Sequence, residues 1–193
     1  VSFTSFYFTL NSSIKYVQLF IPVIFISYLF LIALVPQILL DEFGGPILCT
    51  QPRRLAVVAV ATHVAKQRNV ILGEGEVGYH VGQQNHSTSN TKLLFATAGI
   101  LLEELKSNGL EALSTYKCII IDECHERSPE SDLCLAIIKS FMRVHPNARI
   151  HVVLMSATFD HGRYRSFFAD VPGCEDIDTV QLETVQHIDS FYK

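Results

Sequence analysis

The chain has 193 residues, 49% of them hydrophobic, and carries 15 basic against 19 acidic side chains for a net charge of −4. That length allows one domain of ordinary size with an appendage, and the slightly acidic balance excludes a global basic field, so any nucleic-acid contact has to be local. The five cysteines (Cys49, Cys118, Cys124, Cys134, Cys174) form no C-x-x-C pair and no zinc spacing, which excludes a disulfide framework and reads as free, reduced thiols of an intracellular protein.

Residues 1–40 differ from the rest. No charged residue lies between Lys15 and Asp41. The apolar core at 19–36 reaches the ~20 residues needed to span a bilayer. Three readings stand: a membrane helix or signal anchor, a buried helix, or a segment that is not part of the functional protein. Hydropathy alone favours the membrane. The chain begins with Val, which reads as a fragment.

From Val35 the pattern changes. VPQILLDEF reads as the last turns of an amphipathic helix, closed by Gly44, Gly45 and Pro46. Residues 47–50 read as a short strand. Residues 53–67 read as a helix, with Leu55, Val58, Ala59, Thr62 and Ala65 at helical spacing. A strand is predicted at 76–81, a polar loop at 83–90, a strand at 92–97 and a helix at 98–107. The run Cys118, Ile119, Ile120, Ile121 lacks polar alternation, as in a strand buried on both faces of a parallel sheet. Ser128 and Pro129 suit the N-cap and first position of a helix that runs to about Val144. A buried strand follows at 149–155 and a helix at 160–168. The tail from Gly173 is acidic and then nondescript. The order G-x-G-x-x-G at Gly73, Gly75 and Gly78 follows a helix and precedes a strand, the reverse of a dinucleotide fingerprint.

Alternating strands and helices imply a parallel sheet with right-handed crossovers. Ligands bind past the carboxyl ends of such strands. Four polar clusters fall at strand ends: Thr50-Gln51-Pro52-Arg53, Thr97, Asp122-Glu123 and Ser156-Ala157-Thr158. In a parallel sheet they share one rim. Adjacent carboxylates there suit magnesium and the polarisation of an attacking water. A solvated acidic turn is the plain alternative.

The set TQPRR, TAGILLEEL, DECHERS and MSAT, in this order, resembles the first RecA-like domain of superfamily 2 DEAH/RHA-type RNA helicases, over about 35–168. The resemblance implies an α/β fold, a RecA-like parallel sheet flanked by helices. It implies ATP and magnesium as cofactors. Asp122 would hold the magnesium of a bound nucleotide, and Glu123 would orient the hydrolytic water. His125 would link that site to the rest of the machine, and Ser156 and Thr158 would couple hydrolysis to strand movement. Gln51, Pro52, Arg53 and Arg54 resemble the motif on the RNA backbone, where guanidinium donors at a helix start suit phosphate. Thr97 and Gly99 resemble the next RNA-contacting motif, although the family more often has Asp at Ala98. The implied partners are single-stranded or structured RNA and a second RecA-like domain, in the nucleus or cytoplasm.

The family's phosphate loop, G-x-x-x-x-G-K-[ST], is expected just before the helix ending at Phe43. No Gly-Lys dipeptide occurs in the chain. Residues 1–34 therefore read as an apolar segment that replaces the first strand and loop, in the manner of a wrong splice, and a membrane anchor is the lesser reading. Residues 35–172 read as a partial helicase domain, and 173–193 as a tail or the start of a linker to a missing second domain. Lacking the loop's lysine and the second domain's arginine finger, the chain is expected to hydrolyse ATP at no more than background. The alternatives are an RNA-binding module without ATP use, and a membrane-anchored protein using 19–36.

Overall fold

The computed structural model describes residues 3–11, 28–158, 161–172, 174 and 177–185, with side chains described over 32–158, 162–172 and at 174. Eight strands form one sheet: β1 (Phe3–Asn11), β2 (Ile47–Gln51), β3 (Val77–Val81), β4 (Gln84–His86), β5 (Leu93–Thr97), β6 (Cys118–Ile121), β7 (His151–Ser156) and β8 (Ile177–Val185). Among the described residues five α-helices accompany them: α1 (Tyr28–Phe43), α2 (Arg54–Gln67), α3 (Ala98–Asn108), α4 (Pro129–Val144) and α5 (His161–Phe168). The strand order is β4-β3-β5-β2-β6-β7-β1-β8. The inner five, from β3 to β7, pair in parallel. β4 and β1 join antiparallel, and β8 pairs antiparallel with β1.

The parallel core forms because its strands are apolar on both faces. β2 and β6 are buried along their whole length. Helices cover each face, giving two hydrophobic clusters. One, with Cys49, Phe95 and Ile120, packs under α1 and α2. The other, with Ile119, Ile121 and Leu154, packs under α3 and α4. Each fully buried isoleucine of β6 contributes roughly 1.5–3 kcal/mol relative to exposure. α4 begins as its sequence predicts, with the Ser128 hydroxyl accepting from the Ser131 N–H at 3.2 Å and Pro129 in the first turn.

Several features differ from the sequence expectation. The predicted polar loop at 83–90 contains β4, a short strand exposed along its length. The tail contains β8, and a strand from 3–11 enters the sheet beside β7. The buried face of α2 is Val57, Val60, Ala61, Val64 and Ala65, whereas Leu55, Ala59 and Thr62 are exposed. Thr62, His63, Lys66 and Gln67 lie on the side of α2 opposite its valines, so the valine face packs against β3 and β5 and the stripe from Leu55 to Thr62 stays exposed. The apolar stretch at 19–36 lies outside the described residues as far as 27. From Tyr28 it belongs to α1, whose Ile32, Ala33 and Val35 are buried in the core. Among the described residues no helix is long and apolar enough to cross a membrane.

Two of the three glycines of the G-x-G-x-x-G order, Gly73 and Gly78, have a packing reason at the hairpin. A Cβ on Gly73 would stand 3.1 Å, and one on Gly78 2.7 Å, from the His86 carbonyl oxygen. They let the β3–β4 hairpin fold against the loop before it.

Candidate nucleotide and nucleic-acid interface

The register brings the predicted clusters to one level. Gln51 of β2 pairs with Thr97 of β5, Thr50 with Ile121 of β6, and Ile121 with Leu154 of β7. The Asp122 N–H donates to the Thr50 carbonyl at 3.0 Å. Every one of these strands runs in the same direction, so the four tips share the carboxyl-end rim.

Asp122 is 1% exposed. The Gln51 side-chain amide donates to its carboxylate Oδ2 at 2.7 Å. Gln51, which the family resemblance groups with the RNA-facing residues, is 2% exposed and bonded directly to this carboxylate. Pro52, Arg53 and Glu123 line a cleft of about 270 Å³ there, with Gln51, Glu126 and Ile32. Within this lining Arg53 Nη2 pairs with Glu126 Oε1 at 2.7 Å. Arg54 is exposed, and its guanidinium lies over Gly82, where a Cβ would stand 3.4 Å from Nη1.

The acidic loop after β6 is tightly turned. Glu123 and Arg127 both hold left-handed backbone conformations, at φ 52° and 53°. His125 Nδ1 lies 3.2 Å from Glu123 Oε2 and 3.4 Å from the Ala157 N–H. One ring nitrogen cannot serve both: a neutral Nδ1 accepts from Ala157, and a protonated one donates to Glu123. His125 thus touches the carboxylate loop and the turn after β7. Ser156 is buried and its hydroxyl donates to the Thr158 carbonyl, while Thr158 itself is exposed. Tyr164 of α5 donates to the Cys124 carbonyl at 3.3 Å, fastening the loop from a third side.

The other side of the rim is more open. Thr97 precedes α3 and Arg53 precedes α2, yet neither side chain caps its helix. Gly99 stands in the first turn of α3, and a Cβ there would meet nothing within 4 Å. Glycine inside a helix costs ~1 kcal/mol relative to alanine, and here no protein contact requires it. All five cysteines are buried. Burial pushes the Cys124 thiol above its ordinary range and Cys134 up to about 12, which removes thiolate chemistry at neutral pH.

The donor set fits magnesium in the way that ion is usually held, by one or two carboxylates completed by phosphate oxygens and water. Asp122 and Glu123 supply hard oxygens, and the described residues contain no group of three or more His, Cys, Asp and Glu that could cage a metal unaided. Sequence reasoning missed two partnerships here, Gln51 with Asp122 and Arg53 with Glu126. Each joins residues more than seventy apart in the chain.

Comparison with known proteins places the chain in a family. A family model described as DEAD/DEAH box helicase matches residues 27–166. The chain is 53% identical over 148 residues to the DExH-box ATP-dependent RNA helicase DExH8 of Arabidopsis thaliana, covering 77% of this chain and 14% of that protein. It is 49% identical over 153 residues to zinc finger CCCH domain-containing protein 4 of Oryza sativa, covering 78% and 15%. It is 36% identical over 146 residues to the mouse ATP-dependent RNA helicase DHX29, covering 72% and 10%. The chain therefore spans a small part of these relatives.

Proposed function

Because the chain belongs to the DEAD/DEAH box helicase family, we propose that it is part of an ATP-dependent RNA helicase, with 35–172 forming the body of a partial first RecA-like domain. The convergence of four strand ends on one rim carries this reading. Asp122, fixed by the Gln51 amide, would hold the magnesium of a bound nucleotide. That ion would supply neutralisation of phosphate charge. Glu123 would orient the attacking water, with His125 relaying its position to the Ser156–Thr158 turn. Pro52, Arg53, Arg54, Thr97 and the open helix start at Gly99 would hold RNA phosphates. Such contacts position a strand and carry little sequence information. The working site would be the nucleus or cytoplasm, and a second RecA-like domain would complete the catalytic crevice.

A second reading follows from one observation. The residues read as RNA-facing, Pro52, Arg53, Arg54, Thr97 and Gly99, occur in the chain, whereas no Gly-Lys dipeptide, and so no phosphate loop, does. The chain as written would then bind RNA and turn over ATP at no more than background. A filter-binding titration with single-stranded RNA, with and without ATP, tests both readings. RNA affinity that falls with salt and ignores ATP is the result for the binding reading. RNA-stimulated ATP hydrolysis by the purified chain would establish the enzyme. Absence of any RNA binding would remove the RNA-facing assignment. In a chain supplied with a phosphate loop, Glu123→Gln is expected to abolish hydrolysis while nucleotide still binds. Unchanged turnover would take Glu123 out of the mechanism.

A further inference from the structure

Arg53 is paired within the protein. Its side chain is 73% exposed, and Nη2 donates to Glu126 Oε1 at 2.7 Å, with the Glu126 side chain 30% exposed. Both residues line the cleft with Gln51, Pro52 and Glu123. The pair joins the β2–α2 turn to the acidic loop, 73 residues further along the chain.

That loop is bounded by two non-glycine residues in the left-handed region, Glu123 and Arg127. Such residues persist only where their surroundings hold them. Several contacts hold this loop. Arg127 donates to Asp132 at 2.6 and 2.9 Å, the Glu126 N–H donates to the Glu123 carbonyl at 2.9 Å, and His125 touches Ala157. The Arg53–Glu126 pair is the contact on the RNA-facing side.

We propose that Glu126 is a latch that competes with an RNA phosphate for Arg53, so that a strand bound on the rim releases the loop that carries Glu123. The inference rests on the reading of Arg53 as RNA-facing. The chemistry favours exchange. The ion pair uses one guanidinium nitrogen, is open to water and is screened, so it holds weakly. A phosphodiester offers two oxygens to the guanidinium fork and makes the stronger bidentate pair. A carboxylate left beside that phosphate repels it, so the two anions exclude one another. The loop loses one of its ties when RNA arrives, and the occupancy of the rim is thereby communicated to Glu123.

The test is a fluorescence anisotropy titration of labelled oligouridylate against the unaltered chain, Glu126→Gln, Arg53→Ala and the double variant, at two salt concentrations. Circular dichroism checks that each is folded. Glu126→Gln is expected to bind about threefold more tightly, the loss of one exposed competing pair converted to affinity. Arg53→Ala is expected to bind more weakly and to lower the salt slope by about one. The double variant is expected to match Arg53→Ala alone. Should Glu126→Gln not fold, Glu126→Asp, which withdraws the carboxylate by one methylene, is expected to give a smaller gain of the same sign. Unchanged or weaker binding by the Glu126 variant overturns the latch. So does a gain that survives undiminished without Arg53, which would be a general charge effect. If the unaltered chain binds RNA in a salt-dependent way and only the gain is missing, the latch falls alone. If the unaltered chain binds no RNA, the RNA-facing reading falls and the latch with it.

Discussion

The two ends of the parallel sheet are built from the same strands and solve opposite problems. At the amino end the chain closes on itself. The Ile47 N–H donates to the Lys92 carbonyl at 2.7 Å, the Lys117 N–H to that of Pro46 at 2.8 Å, and the His151 N–H to that of Lys117 at 2.9 Å. Lys117 Nζ donates to the Phe43 carbonyl at 2.8 Å, and the Phe43 ring stacks on His151 with centroids 4.4 Å apart. At the carboxyl end two helix starts carry no side-chain cap, two residues hold left-handed conformations, and Gly99 faces open space. Buried polar groups need partners. The amino end meets most of its needs within the protein, His151 Nδ1 excepted, and at the carboxyl end Gln51 and Ser156 find partners in Asp122 and Thr158 while the first turns of α2 and α3 keep no side-chain cap. What separates the ends is the pair of helix starts at the carboxyl end, which no protein side chain caps.

Glycines at the two ends give the sharpest contrast. Gly45 has φ +71°, and a Cβ there would stand 2.8 Å from the Lys92 carbonyl oxygen. Gly45→Ala is expected to cost about 2–3 kcal/mol through strain and a shifted backbone. A denaturant titration reads this as a lower midpoint at unchanged slope. If the melt is unchanged, the close packing assigned to the amino end is wrong.

Next in size is Gln51→Leu, which removes the amide donor from the buried Asp122 carboxylate. The expected cost is about 1–3 kcal/mol. Restoration of stability in a Gln51→Leu, Asp122→Leu double variant would show that the loss belongs to the pair. Equal costs in the presence and absence of Asp122 would show that it does not.

Gly99→Ala is expected to have the reverse sign. It should stabilise the fold by roughly 0.5–1 kcal/mol while weakening RNA binding, because the added methyl occupies the space a phosphate would use. A stabilised variant with undiminished RNA affinity would strike Gly99 from the interface.

The smallest effect is a pH dependence at the amino end. His151 Nδ1 is buried without a hydrogen-bond partner, and burial lowers its pKa from the ordinary value. Its neutral form is thus favoured on folding. The unfolded chain binds the extra proton first, so this contribution is present above about pH 6.5 and is lost as the pH falls below it. His151→Phe should flatten the acid side of a stability–pH curve. A curve unchanged in shape would show that His151 does not sense the proton.

Much of this was legible in the amino acids alone. The run of isoleucines before Asp122 announced a strand buried on both faces, and Ser128-Pro129 marked a helix start within a residue. The alternation of such strands with helices implied one shared rim for the clusters at Thr50, Thr97, Asp122 and Ser156. These are local signals, set by chain stiffness, side-chain polarity and period, and sequence carries them directly. Other features were decided only by tertiary packing. The buried face of α2 is the row of valines opposite Thr62, His63, Lys66 and Gln67, and contact with β3 and β5 leaves Leu55 and Ala59 outside despite their apolar character. The edge strands β4 and β8 come from polar or ordinary segments that become strands because a neighbour offers open backbone hydrogen bonds. Gln51 with Asp122 and Arg53 with Glu126 are bonds between residues far apart in the chain. No local pattern encodes such distances; they exist only after parallel strands have brought their ends to the same level.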